Sequence, residues 1–328
     1  MTPAALRQLA FSFRAARALY AGVELGLFEA LGARALPADE LARARGCDAR
    51  AVGIWVEALA ALQVLERCAG GYRIRPELRE ALLPGGGEYL GNLFLHDLWH
   101  WSRWAWLDET LRSGAPRQAA AGERHLADPE VLRRFLPNYN AAMEQSSGGA
   151  HALLARAIAE RAPRSVVDLG GGSGALLAEV CALLPGARGC LVEHGFALAS
   201  ARERLARDPA RERIELLERD FEKAEIPPAA AIVLSRVLMG FAPERARAAV
   251  LRAAAALAPG GHLWVHDFAA DSRVGALLGL DMLLNTGGQV HRSAAIRGWL
   301  EAAGLRELEE RPILPYTRAW VGRKAAAA

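Results

Sequence analysis

Four glycines within five residues follow an aspartate at the end of a short apolar run in Ser165–Val180, SVVDLGGGSGALLAEV. A turn through Gly170, Gly171, Gly172 and Gly174 lets a ligand lie directly against the backbone, because glycine has no side chain to hold it away. Gly170-x-Gly172-x-x-Ala175 also satisfies the formal dinucleotide fingerprint. Glu193 closes the next apolar run about 20 residues further on, where a carboxylate can accept both hydroxyls of a ribose. These features are shared by nicotinamide dinucleotide and S-adenosylmethionine sites, so the turn alone does not choose between them. Asp220, in LLERDF, ends a third run, where its carboxylate could accept from an adenine amino group.

The elements needed to position these groups are legible around them. From Ser165 onward, SVVDL, GCLVE, RIELLERDF, AAIVLSR and GHLWVHDF alternate with helical stretches, the rhythm of a parallel, doubly wound α/β sheet. LRELEERPIL and RAWVGRK are separated only by PYT, which predicts an antiparallel hairpin at the sheet edge. Upstream, residues 4–32 carry apolar positions at helical spacing. Two short helices then turn at Gly46, the second starting near Asp48, and a Gly-Gly hairpin lies between VLERC and YRIR, a winged-helix pattern. FLHDLWHWSRWAWLDETLRSG places Trp99, Trp101, Trp104 and Trp106 in one expected helix, read as core. A further helix is expected with Asp128 as cap and Pro129 in its first turn.

Composition limits the class of partner. The chain has 328 residues, 52% of them hydrophobic, and a net charge of +3. That size suits two domains. Lys223 and Lys324 are the only lysines, and the second helix of the winged-helix pattern has few basic residues to meet phosphates, so nucleic-acid binding is not expected. Cys47, Cys68, Cys181 and Cys190 show no C-x-x-C spacing and read as reduced thiols. No export signal or membrane span is expected, and the location read from this is cytoplasmic. His96 and His100 are i, i+4 neighbours, a weak metal signal without a third ligand.

With GLFEAL, NYNAAMEQSS, VVDLGGGSGALL, ERDF, LSRVL, LAPGGHLWVHDF and LNTGG in this order, the chain resembles the class I S-adenosylmethionine-dependent methyltransferases. More narrowly, it resembles the O-methyltransferase family with a winged-helix dimerisation domain. The resemblance implies a homodimer. It also implies residues 1–88 as dimerisation domain, 89–150 as linker and acceptor-pocket helices, and 151–328 as cofactor-binding domain. Asp168, Gly170, Gly172 and Gly174 would line the methionine end of S-adenosylmethionine, Ser147 would hold its carboxylate, Glu193 its ribose, and Asp220 and Phe221 its adenine. Arg236, in LSRVL, joins this cofactor set. Trp99, Met143, Met239 and Phe241 would shape the pocket of a small aromatic or enolisable natural-product acceptor.

The sequence departs from the family's pattern at one point of chemistry. The family's LHDW reads LMGF here, so Met239 stands where a histidine base is expected and Gly240 where an aspartate is expected. Of the two acids that orient that base, Asp267 is retained in kind and the other position is Val290. A thioether cannot take up a proton, so the family mechanism cannot run unchanged. Asp267 with His291 is the expected polar pair of the acceptor pocket. A metal held by His266, Asp267 and His291 is disfavoured, because neighbours on a strand point to opposite faces. The expected reaction is methyl transfer without the histidine base. The alternatives are a non-methylating reaction on bound S-adenosylmethionine and a ligand-responsive regulator.

Overall fold

The structure, a computed structural model, describes residues 1–117, 129–147 and 149–326. It falls into two compact units, Met1–Ser102 with Pro129–Ser146 and Arg103–Asp128 with Ser147–Ala328. The stretch expected as a linker, 89–150, is thus divided between them.

In the first unit, helix Pro3–Glu24 starts at Thr2, whose hydroxyl accepts from the Ala5 N–H, with proline in the first turn. The helical stretch expected over 4–32 breaks at Gly26, whose φ of +67° few other residues adopt, and resumes as Leu27–Leu31. Helix Ala38–Arg45 ends on left-handed Gly46, and Ala49–Ala61 begins at Asp48, whose carboxylate accepts from the Ala51 N–H. Strands β1 (Leu65–Cys68) and β2 (Gly71–Ile74) form the hairpin, and Leu36 bridges to Tyr72 beside it. Phe28, Leu31, Leu41, Val56, Leu59, Leu65 and Ile74 close the core under this winged-helix arrangement. By contrast Leu6, Leu9, Phe11 and Phe13 on the first helix are exposed.

The tryptophan run corrects the single-helix expectation. Helix Gly91–Trp104 ends at a turn through Ala105 and Trp106, and a second helix runs Leu107–Ser113. Within the chain Trp99, Trp104 and Trp106 are 38%, 39% and 44% exposed, so they are not core. Local density of aromatics reports hydrophobic area but not which surface covers it. Helix Pro129–Ser147 follows. Its expected cap, Asp128, lies outside the described residues.

The second unit is a seven-stranded sheet in the order β5-β4-β3-β6-β7-β9-β8. Strands β3 (Ser165–Leu169), β4 (Arg188–Glu193), β5 (Ile214–Glu218), β6 (Ala229–Ser235) and β7 (Leu257–Phe268) are parallel. β8 (Arg306–Leu314) and β9 (Thr317–Arg323) form the antiparallel hairpin, with β9 inserted next to β7. Strand alternation sorts the core into two layers. Val166, Leu191, Val233 and Trp264 face helices Ala150–Ala159, Ala175–Leu183 and Gly195–Leu205, whereas Val167, Val192, Ile232 and Val265 face Pro243–Ala256 and Ser293–Ala302. Chain order reverses at β3, with β4 on one side and β6 on the other, so a crevice opens where β3 and β6 end. None of the described helices is long and apolar enough to cross a membrane.

Ile232 is fully buried on β6, facing helices Pro243–Ala256 and Ser293–Ala302. Ile232→Ala is expected to cost about 3 kcal/mol, read as earlier chemical unfolding of the second unit.

Candidate cofactor and acceptor site

The glycine turn after β3 is shaped by what it must avoid. Gly170, Gly172 and Gly174 have φ of +70°, +57° and +73°. A Cβ on Gly171 would lie 2.2 Å from Asp168 Oδ2, and one on Gly170 would lie 3.0 Å from Val237 Cγ2. Glu193, at the end of β4, accepts the Gly172 N–H at Oε2 (3.0 Å) and the His194 N–H at Oε1 (2.7 Å). This carboxylate therefore pins the turn in shape.

Asp168 is 1% exposed, and neither of its oxygens has a hydrogen-bond partner among the described residues. Burial, reinforced by the neighbouring Glu193 charge, pushes its carboxyl up to about 7. A buried acid with no partner is costly unless something else satisfies it. The donors and positive charge of S-adenosylmethionine would suit such a carboxylate, which lies beside a turn whose backbone is bare at Gly170, Gly171, Gly172 and Gly174.

The other residues expected around the cofactor are distributed as follows. Phe221 is buried against the Gly170 side of the turn, its ring 6.4 Å from that of Phe241. Asp220 lies two residues beyond β5, where Oδ1 accepts the Glu222 N–H and Oδ2 pairs with Lys223 at 2.9 Å, so it caps its own turn. Lys223 holds its carboxyl below the usual range. Arg236 follows β6 directly and takes φ +58°, a conformation that costs a non-glycine residue about 1 kcal/mol or more. Its Nη1 donates to Ser147 Oγ at 2.7 Å, and its guanidinium carbon is 5.0 Å from the centre of the Phe268 ring.

Met239 and Phe241 sit on and after a single 3-10 turn, Leu238–Gly240. Asp267 Oδ2 accepts the Met239 N–H at 3.0 Å, while Oδ1 accepts the Phe268 N–H at 2.8 Å. His291 Nε2 meets the Leu238 carbonyl at 3.0 Å, so this nitrogen carries the proton, and the ring packs edge-on to Trp299. Gly288 approaches so closely that a Cβ there would lie 2.3 Å from the Met239 carbonyl oxygen. The polar pair expected to face an acceptor is thus engaged by backbone: Asp267 and His291 brace the turn that carries Met239, and neither bonds the other. Burial raises the Asp267 carboxyl to about 6 and lowers the His291 imidazole below its usual range. Sequence reasoning missed the bracing, because a carboxylate accepting backbone N–H groups looks the same in sequence as one aimed at a ligand. The paired glycines of NTGG were the available signal for Gly288.

His266 departs from Asp267 as strand alternation requires, bonding Ser235 Oγ through Nδ1 at 2.9 Å. Among the described residues no group of three His, Cys, Asp or Glu could hold a metal. His96 and His100 pack edge-on, with ring centres 4.7 Å apart. Trp99 and Met143 belong to the first unit, on helices Gly91–Trp104 and Pro129–Ser147.

Comparison with known proteins gives a consistent picture. A family model described as the O-methyltransferase domain matches residues 104–306, and one described as the O-methyltransferase dimerisation domain matches residues 7–76. The tetracenomycin polyketide synthesis 8-O-methyl transferase of Streptomyces glaucescens is 30% identical over 98% of this chain and 97% of its own. The 3-hydroxy-5-methyl-1-naphthoate 3-O-methyltransferase of Streptomyces sahachiroi is 28% identical over 93% and 90%. Among solved structures, an O-methyltransferase family protein from Burkholderia thailandensis superposes with a TM-score of 0.89 at 25% identity, covering 100% of this chain and 99% of that one.

The raised carboxyl of Asp168 sets a pH dependence. Its ordinary value is 3.8 and its folded value about 7, so the folded form holds the proton more tightly; stability is full below about pH 4 and lost as pH rises through 7. Asp168→Asn should therefore melt as wild type does at pH 4 and higher than ligand-free wild type by roughly 5 °C at pH 8. It should also bind S-adenosylhomocysteine far more weakly. Parallel melting curves at all pH values would contradict this.

Proposed function

The chain belongs to the O-methyltransferase family, and on that premise we propose that it methylates a small aromatic or enolisable acceptor whose hydroxyl ionises without help from a histidine. It is an S-adenosylmethionine-dependent methyltransferase. When bound, this cofactor supplies a methyl group made electrophilic by positive sulfur. Asp168 and the glycine turn would receive its amino-acid end, with Ser147 and Arg236 taking the carboxylate, Glu193 the ribose, and Asp220 with Phe221 the adenine.

The observation that carries the acceptor reading is the side chain at the tip of the braced turn, Met239. Its polar neighbours among the described residues are engaged by the fold, and the two imidazole nitrogens left unpaired, His291 Nδ1 and His266 Nε2, are buried. His291 donates Nε2–H to a backbone carbonyl, His266 is fully buried against Ser235, and both oxygens of Asp267 accept backbone N–H groups. Methyl transfer needs chiefly orientation, which a rigid turn can provide. An ordinary phenol, with a pKa of about 10, is ionised in only about one molecule in a thousand at pH 7, so a missing base costs such acceptors roughly 100-fold. Enols and phenols acidified by a neighbouring carbonyl lose far less. Relatives named for a polyketide synthesis step and for a hydroxynaphthoate agree with an aromatic acceptor.

The test is a series of hydroxyl acceptors graded by acidity, followed by S-adenosylhomocysteine release. kcat/KM should rise with pH to a midpoint that moves with the acceptor's own pKa, and Met239→His should raise turnover of ordinary phenols about 10- to 100-fold. A fixed midpoint near 6.5 for every acceptor would point to a protein base and sink the reading.

Subunit association is part of the same proposal. The dimerisation match over residues 7–76 and the exposed Leu6, Leu9, Phe11 and Phe13 support a homodimer through the first helix. The double change Leu9→Glu, Phe13→Glu is expected to halve the mass measured by light scattering; an unchanged mass would place the contact elsewhere.

A further inference from the structure

We propose that the buried Ser235–His266 pair is a positioning device for the amino-acid carboxylate of the cofactor, holding Arg236 in the left-handed backbone conformation that brings its guanidinium onto Ser147. The proposal rests on the reading above that Arg236 and Ser147 receive that carboxylate.

Ser235 is the last residue of β6 and lies in register with His266 of β7. His266 grips two consecutive residues at this strand end. Its Nδ1 bonds Ser235 Oγ at 2.9 Å, and its backbone carbonyl accepts the Arg236 N–H at 2.7 Å. A non-glycine residue at φ +58° persists only where its surroundings over-determine it, and these two bonds do so on either side of the Ser235–Arg236 peptide. The bend redirects the chain out of the sheet, and the arginine Nη1 then reaches Ser147 Oγ at 2.7 Å.

The placement points to the cofactor. Val166, Val233 and Trp264 belong to one core layer, and Asp168, Ser235 and His266 each stand two residues further along the same strands. All three side chains therefore project from the same sheet face, at the end where the crevice opens. His266 is fully buried, and its Nε2 has no hydrogen-bond partner among the described residues. Burial, with Arg236 and then His151 nearby, lowers this imidazole to about 3, so it stays neutral and adds no charge to repel the guanidinium. An apolar residue would fill the same space at no polar cost. A neutral ring that bonds a serine on one side and remains unsatisfied on the other is retained for placement rather than for packing.

Titration calorimetry on the full-length protein separates the possibilities with two ligands, S-adenosylhomocysteine and 5′-methylthioadenosine, which lacks the amino-acid end. Arg236→Ala is expected to weaken S-adenosylhomocysteine about tenfold or more while leaving 5′-methylthioadenosine within about twofold. Ser235→Ala and His266→Leu should reproduce that selective loss, and Ser235→Thr, which keeps the hydroxyl, should restore it. Ser235→Ala removes one oxygen only, so the test stands even where the larger change at His266 fails to fold. If Arg236→Ala shows the selective loss but Ser235→Ala keeps the wild-type ratio, the positioning proposal fails and the cofactor reading survives. If both ligands weaken equally in Ser235→Ala, the pair is merely structural and the proposal fails. If Arg236→Ala leaves the ratio unchanged, the assignment of Arg236 to the carboxylate fails, and the proposal with it.

Discussion

The carboxylate of Asp168 is enclosed near the end of the central strand, with neither oxygen bonded among the described residues. A polar group in that state is costly, and the turn beside it is shaped around it. Gly171 has no side chain because a Cβ there would strike the carboxylate itself, and Gly170, Gly172 and Gly174 take the left-handed φ that completes the turn. Glu193 holds the turn by its backbone and in the same act raises the energy of the neighbouring charge. The site is therefore unsatisfied in a directed way, at the point where the strand order reverses and the sheet offers a crevice.

A second constraint governs the turn Leu238–Gly240. It is fixed by a carboxylate on one backbone N–H, an imidazole on one carbonyl and the bare backbone of Gly288 against another. Such bracing stiffens the segment that carries Met239 and ends at Phe241. Polar groups that in sequence suggest proton handling are here used to hold backbone, which suits a reaction dominated by orientation. The two histidines next in line are likewise engaged, His266 with Ser235 and His291 with Leu238.

Much of this was legible from residue types. Alternating short apolar runs and helices yielded the parallel strands in order, because strand burial on both faces writes itself as continuous β-branched and aliphatic residues. The hairpin of β8 and β9 was visible from the short PYT gap between two strand-like runs, of which Thr317 joins β9 in the structure. Glycines announced the turn, since left-handed φ values there admit little else. The tryptophan run misled, because an aromatic stripe signals apolar area and is silent about what covers it, and the helix it was expected to form stops at Trp104. Nothing in the letters VLSRVLM marks Arg236 as left-handed; that conformation arises from bonds to a strand some 30 residues later in the chain.

By itself the sequence determined the fold class, the glycine turn, the family and the thioether at position 239, because these depend on local pattern and on which atoms a side chain possesses. Only the tertiary structure decided the partners of Asp267, His266 and His291. Each of those side chains has several possible hydrogen bonds, and the choice depends on which backbone groups the packed sheet presents within about 3 Å. Residue type sets what a group can do. The register of β6 against β7 and the approach of Gly288 set what it does.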